Sequence, residues 1–412
     1  MKLQLRPRCL SDLRWTLLTI AVLLRSLASP LPVSAQTWTP TSAAKTNWQA
    51  IACSADGHLV VAATYGDGAG GGGPIYISTN YGGTWTLSGA PLGKWTSVAS
   101  SADGTKLVAS VGFNGVGLIY TSTNSGTTWI SNSTPVTSWT CVASSADGTK
   151  LAAGIANGLI YISTNSGESW NPSGAPSAYW TSIASSTDGT KLVASVLNGL
   201  LFTSTNSGAT WTSNSATLGR WASVTSSADG HKLAAAATAN LTYTSPWPLY
   251  TSTNGGITWE TNSLTGYWST IRSSADGDRL AVVAGQGGPS ASILTSANGG
   301  ATWTSNAAPS HGYSSLASSA DGGFLATLVQ EGNIFTTSNT IPPQLQMALS
   351  GTNAVVSWII PSRTFTLLQN TNLSATNWTS VTSLPGLNLF TLRNELNLPA
   401  TNAQSYFRLS SP

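Results

Sequence analysis

Two carboxylates, Asp67 and Glu331, stand apart in a chain of 412 residues that has only 14 Asp and Glu. Neither belongs to the recurring turn signature that holds most of the other aspartates. A carboxylate pair about 5–9.5 Å apart is the machinery of glycoside hydrolysis, one group serving as acid and the other as base or nucleophile. Arg272 is a third charged exception, because equivalent segments have Ala or Thr at its position. Binding without turnover would instead need rings, whose apolar faces cover sugar C–H surface while polar edges hold hydroxyls. Tyr243 and Trp247 are the leading candidates, and Tyr179, Tyr267 and Arg220 in neighbouring connecting segments complete a patch. The competing role for such rings is to pin their own loops. His58, His231 and His311 fall in separate turns or loops, so no metal site and no cofactor is expected. Cys53 and Cys141 stand in non-adjacent copies of a repeat, too far apart for a bridge. The glycine run around Asp67 lacks the lysine and following helix of a phosphate cradle and reads as a spacer.

These residues hang on a repeat. Ser-Ala-Asp-Gly or a close variant recurs with its aspartate at Asp56, Asp103, Asp147, Asp188, Asp229, Asp276 and Asp321, and an aromatic stands eight residues before each: Trp48, Trp95, Trp139, Trp180, Trp221, Trp268 and Tyr313. Asp-Gly suits a tight turn, since glycine tolerates positive φ and the Asp side chain bonds nearby backbone. The basic residue three positions on, as in Lys106, Lys150, Lys191, Lys232 and Arg279, reads as a solvated turn partner of little energetic weight. A short aromatic-led strand, this turn, an apolar strand, a β-rich tetrad such as Ile119-Tyr120-Thr121-Ser122 and a fourth strand after Trp129 fill about 44 residues, the size of one propeller blade. The seventh copy stops at Ser338-Asn339, whereas Thr37-Trp38 stands ten residues ahead of Trp48 just as Thr84-Trp85 stands ahead of Trp95. The expected fold is therefore an all-β, seven-bladed propeller over residues 36–340, closed by an N-terminal strand that completes the last blade and leaves fewer open edges.

Residues 1–35 read as a signal peptide: Lys2, Arg6, Arg8 and Arg14 precede the apolar run Trp15 to Leu24, with small residues at Val33 and Ala35. Removing them takes away five Lys/Arg and one Asp from totals of 17 and 14, leaving 12 basic against 13 acidic residues. A near-neutral chain with 8% charged residues gives no electrostatic case for nucleic acid or an anionic membrane. The expected location is secreted, at the cell surface or in a bacterial periplasm.

Between the third and fourth strands lies Ser-x-Asn-x-Gly-x-x-Trp, as in Ser78, Asn80, Gly82 and Trp85, repeated with Trp129, Trp170, Trp211, Trp259 and Trp303. It resembles the Asp-box (BNR) repeat of sialidase-like propellers, whose motif has Asp where this chain has Asn throughout. Asn keeps the turn chemistry and removes a charge. The resemblance implies a propeller whose box Trp packs between blades. It also admits a glycoside hydrolase of sialidase or xyloglucanase type, or an assembly-factor propeller of the photosystem family, which lacks a C-terminal extension. Sialidases carry an Arg-Ile-Pro motif and an arginine triad, and this chain has no Arg-Ile-Pro.

After Ile341-Pro342-Pro343 the repeat ends. Residues 341–412, with Val355 to Trp358, Phe365 to Leu367 and Tyr406 to Leu409 as short strands, resemble a fibronectin- or immunoglobulin-like β-sandwich module of secreted bacterial proteins, implying surface attachment or a structural appendage. Loops from second to third strands and from fourth strands to the next blade share one face, and their lengths vary. That face is where binding is expected. The composite expectation is a non-catalytic scaffold for an extracellular glycan or protein.

Overall fold

The structure is a computed structural model that describes residues 36–66, 71–112, 117–214, 218–239, 247–284, 292–306, 308, 312–338, 343–350, 353–361, 364–371, 374, 376–399 and 405–410. The expected signal segment, 1–35, lies outside them. Each repeat folds as expected into four antiparallel strands. In the second, Trp95–Ser100 pairs with Leu107–Val111 so that Ser100 opposes Leu107, Ile119–Ser122 follows, and Ile130–Ser131 forms the outer edge. Seven such sheets form, and their first strands contact one another around a central channel, making a seven-bladed β-propeller.

Second strands such as Val60–Thr64 are buried throughout, because both faces of a blade meet a neighbour. The period-2 alternation of side chains splits them between two interfaces. Val60 and Ala62 pack with Trp48 and Phe324 of blade seven, whereas Val61 and Ala63 pack with Trp95 of blade two. Small residues of these strands, such as Ala63 and Gly154, meet the inner tryptophan of the next blade, Trp95 and Trp180 respectively. Those indoles also clip blades together: Nε1 of Trp95 donates to the Gly73 carbonyl at 2.8 Å, Trp180 to Gly158 at 3.0 Å, Trp221 to Gly199 at 2.9 Å and Trp48 to Gly332 at 3.2 Å.

The Ser-Ala-Asp-Gly segments do more than turn the chain. The Ala55 amide donates to the Ala102 carbonyl, Ala102 to Ala146, Ala146 to Thr187, Thr187 to Ala228, Ala228 to Ala275, Ala275 to Ala320, and Ala320 back to Ala55, all at 2.7–2.9 Å. The ring is closed and unidirectional. Six of the seven residues at that position are alanine and one is threonine. The glycine two residues on is constrained. Gly148 has φ +66°, and a Cβ there would lie 2.8 Å from Cβ and Cδ of Lys106 in the preceding blade; Gly189, Gly230 and Gly277 meet Lys150, Lys191 and Lys232 in the same way. The basic residue is thus an inter-blade strut rather than a solvated turn partner, correcting the expectation. Its stem packs on the next blade's glycine, and Nζ of Lys106 reaches the Asp147 carbonyl at 3.0 Å.

The last sheet runs Thr39–Pro40, Ile334–Ser338, Phe324–Val329, Tyr313–Ser318, with Thr39 opposite Thr336. The N-terminal strand therefore closes the ring. Pro40 is tolerated there because an outer edge needs no donor on its solvent side. Trp38, 6% exposed, packs with Tyr313, Leu325 and Phe335 of blade seven and Ile293 of blade six.

Beyond the propeller stands a small two-sheet sandwich. Gln346–Ser350, Asn353–Ile359, Arg393–Pro399 and Gly386–Asn388 form one sheet, and Thr379–Ser380, Thr366–Asn370 and Tyr406–Ser410 the other. Val356, Trp358 and Leu396 of the first pack on Leu367 of the second. The module sits against the Asp-Gly turns: Ile359, Ile360 and Leu392 pack on Ala55, Ala102, Ala228, Ala275 and Ala320 of the amide ring. Thr187 Oγ1 donates to the Phe390 carbonyl, and the Ile360 amide donates to the Leu392 carbonyl at 2.9 Å. Leu392 adopts φ +51°, a left-handed conformation that packing must hold in place.

Two stability tests follow from this architecture. Trp38→Ala should cost about 3–5 kcal/mol in chemical denaturation, and deletion of 36–40 should markedly lower the melting temperature; an unchanged melt would contradict closure by this strand. Gly148→Ala should cost about 2–4 kcal/mol from overpacking added to left-handed strain. Gly255→Ala, at φ +70° with no side chain against it, should cost only about 1–2 kcal/mol. Equal costs would show that the close approach to Lys106 carries no weight.

Candidate functional site

The two faces of the propeller differ in chemistry. On the turn face each aspartate is tied into its own turn. Ser101 Oγ donates to Asp103 Oδ1 at 2.6 Å and accepts the Lys106 amide at 3.0 Å, while Asp103 accepts the Thr105 amide and hydroxyl. Burial works to raise the Asp103 pKa, but these hydrogen bonds outweigh it and hold the carboxyl below its usual value; Asp147, Asp188 and Asp229 behave likewise. The box turns repeat as faithfully. Asn80 Oδ1 accepts the Thr84 amide at 2.8 Å, its Nδ2 donates to Thr84 Oγ1 at 3.0 Å, and Trp85 Nε1 donates to the Gly82 carbonyl at 3.0 Å. Asn thus donates as well as accepts, which a carboxylate could not do.

The loop face is where most of the residues singled out for binding or catalysis are expected. Asp67 and Tyr243 lie outside the described residues. Glu331 is exposed in a hairpin turn at φ +54°, the slot filled by Asn157 and Asn198 at φ +55° and +54° in blades three and four. It is a turn residue by position. Trp247 is corrected from loop to strand: it opens Trp247–Ser252 opposite Gly266, its ring packs on the blade-five core, and its Nε1 is buried without a partner among the described residues. Arg220 likewise opens the strand Arg220–Ser226, opposite Ala239, rather than sitting in a connecting loop. Tyr179 is 37% exposed and Tyr267 half-buried, each just before the inner tryptophan of its blade, four and six respectively. Tyr179, Arg220 and Tyr267 therefore mark the starts of three consecutive blades on one face.

Arg272 occupies neither face. It is the fifth residue of the inner strand Trp268–Ser273, and its Nη1 donates to Ser223 Oγ of blade five at 3.2 Å and to the Ile271 carbonyl at 2.9 Å. Burial pulls its pKa down to about 10, and Cys53 works in the opposite direction. Cys53 belongs to blade one, which does not adjoin blade six, so the guanidinium looks across the channel. The Cys53 thiol is itself pushed up to about 12, chiefly by burial, with Asp56 adding to the rise and Arg272 opposing it. Cys53 and Cys141 are both free. Toward the turn face the channel widens into a cavity of about 180 Å³ lined by Cys53, successive rings of serine and alanine, and Leu392 of the C-terminal module. Alignment of the copies shows Arg272 as an oddity, but nothing in the sequence places it in the lumen or puts Leu392 over the mouth.

Two further clefts open between blades on the turn face, where no site was expected. One of about 550 Å³ is lined by Lys191, Thr203, Asn214, His231, Asn254 and Ile257, the other, of about 530 Å³, by Lys232, Glu260, Asn262, Asp278 and Asn298. Lys232 and Asp278 form an ion pair across the second. Among the described residues no three His, Cys, Asp or Glu side chains gather as a metal site.

No protein-family model matches the chain, and no curated protein sequence matches it. Solved structures do. A GH74 xyloglucanase from Xanthomonas campestris superposes with a TM-score of 0.57 at 14% identity over 79% of this chain and 59% of that one. YCF48 from Cyanidioschyzon merolae superposes at 0.55 and 14% identity over 74% of this chain and 99% of that one. The chain matches about three fifths of the xyloglucanase's length. Both likenesses establish the propeller fold.

The turn carboxylates dictate an acid response. Because the folded pKa of Asp103, Asp147, Asp188 and Asp229 lies below the unfolded value of about 3.9, their stabilisation is present above that value and is lost as pH falls through the folded one. Melting temperature should therefore fall most steeply below about pH 4, and Asp103→Asn should flatten that fall; a melt that does not change from pH 5 to pH 2.5 would contradict it. Glu331→Asn, which places a residue suited to left-handed turns at φ +54°, should leave stability unchanged or raise it by about 0.5 kcal/mol. A loss above about 1 kcal/mol would show that Glu331 makes a stabilising contact.

Proposed function

We propose that this chain is a secreted, non-catalytic β-propeller of the Asp-box type that binds an extracellular glycan or protein through its loop face. The observation that carries the reading is the contrast between faces. The aspartates of the Ser-Ala-Asp-Gly segments are committed to their own turns and the C-terminal module packs at the channel mouth there, whereas the loop face keeps an exposed Tyr179, a half-buried Tyr267 and connections of unequal length. Loops that vary on a fixed scaffold are the usual seat of recognition. Export by residues 1–35 and a near-neutral mature surface agree with a ligand met outside the cell. The sandwich of residues 341–412, in this reading, both covers the channel and offers a surface for attachment.

Glycan-array binding and a glycoside panel test this together. The scaffold reading expects saturable binding, reduced about 10-fold or more in Tyr179→Ala or Tyr267→Ala, with no hydrolysis. Turnover that disappears in Asp67→Asn or Glu331→Gln would replace it with a hydrolase. Absence of glycan binding together with capture of a protein partner by the loop face would select the protein-ligand form.

A further inference from the structure

We propose that the channel lumen holds one small oxyanion, a carboxylate or a sulfate- or phosphate-like group, on the guanidinium of Arg272. The site is separate from the loop-face ligand and does not depend on it. At the position of Arg272 the other six inner strands have Ala52, Ala99, Ala143, Ala184, Thr225 and Ala317, and the five alanines pack in the cores between blades, so Arg272 is the one long cationic side chain of that layer. The seven inner strands contain Arg220 and Arg272 and no Asp or Glu. Arg272 meets only neutral oxygens, and only through Nη1. Its Nε and Nη2 have no partner among the described residues, and that edge is the fork that grips an oxyanion with two parallel hydrogen bonds.

No carboxylate bonds the guanidinium among the described residues, so an anion on the open fork would supply a counter-charge through two charge-assisted hydrogen bonds. With a pKa near 10 the group remains cationic at neutral pH. Cys53 across the lumen is a neutral thiol and offers no compensation. Asp56 and Asp321 stand toward the turn face, but Oδ1 of each is held by Ser54 or Ser319 and by a turn amide. Leu392 of the C-terminal module lines the channel at that end, beside Cys53 and Ser273. The repeat itself shows that the fold does not require arginine here, since five of the other six copies use alanine.

The test uses the full chain as wild type, Arg272→Ala and Arg272→Lys, titrated with sodium acetate, sulfate and phosphate at fixed ionic strength and followed by calorimetry and thermal melting. The proposal expects one saturable site in the wild type for at least one of the three anions, with a rise in melting temperature that follows occupancy. Affinity should fall about 30-fold or more in Arg272→Ala and by a smaller factor in Arg272→Lys, which keeps the charge and loses the fork. The unliganded Arg272→Ala protein should melt no lower than wild type. Equal anion stabilisation of wild type and Arg272→Ala, or no saturable binding to wild type, overturns the proposal. Should the alanine variant fail to fold, the lysine variant decides, and unchanged affinity there is equally fatal. Selenate-soaked crystals give an independent reading, with an anomalous peak expected within hydrogen-bond reach of Arg272 Nε and Nη2, and a lumen without one counting against the site.

Discussion

Seven backbone hydrogen bonds, passed from each Ser-Ala-Asp-Gly segment to the next and returning from Ala320 to Ala55, set the geometry on which the rest of the molecule depends. Individually each is an ordinary amide bond with a net contribution of about 1 kcal/mol. Closed into a ring they are coupled, since a blade cannot tilt without breaking two of them. The ring also explains the composition of the repeat. Alanine offers the methyl on which the C-terminal module packs, glycine turns the chain at positive φ against the preceding blade's lysine stem, and serine and aspartate satisfy the amides that the turn leaves open.

The same ring divides the molecule into a structural face and a variable one. The Asp-Gly turns on the turn side are repeated and hydrogen-bonded, and Ile359, Ile360 and Leu392 of the C-terminal sandwich pack on their alanines. The loop side has no such uniformity. Between them runs a narrow lumen whose inner strands are further stitched by hydroxyls, as where Thr96 Oγ1 donates to the Trp139 carbonyl at 2.9 Å. A single arginine breaks that neutral lining.

Much of this was legible in the chain because a repeat prints its own packing code. The spacing from aromatic to Asp-Gly, the four-strand unit and the displaced Thr37-Trp38 are local patterns, and they led to the blade number and to closure by the N-terminal strand. Lys106 and its equivalents were misjudged because the glycine they touch belongs to the next blade, some 40 residues away, and its lack of a Cβ matters only once the two blades are side by side. Trp247 was misjudged for a related reason: a tryptophan after a polar stretch looks like a loop ring, but strand pairing with Gly266 turns its indole inward. Arg272 was visible as an oddity, yet only the circular arrangement puts it opposite a cysteine two blades away. Residues whose role arises between copies, or between the propeller and the sandwich, leave no local signature.

Hydrogen exchange at the seven amides of Ala55, Ala102, Ala146, Thr187, Ala228, Ala275 and Ala320 tests the central claim most directly. A closed ring requires all seven to exchange together, with the free energy of global unfolding and with the same denaturant dependence. If one or more of these amides exchanges through a cheap local opening while the others stay protected, the seven bonds are not coupled, and the ring is not the constraint on which the blades depend.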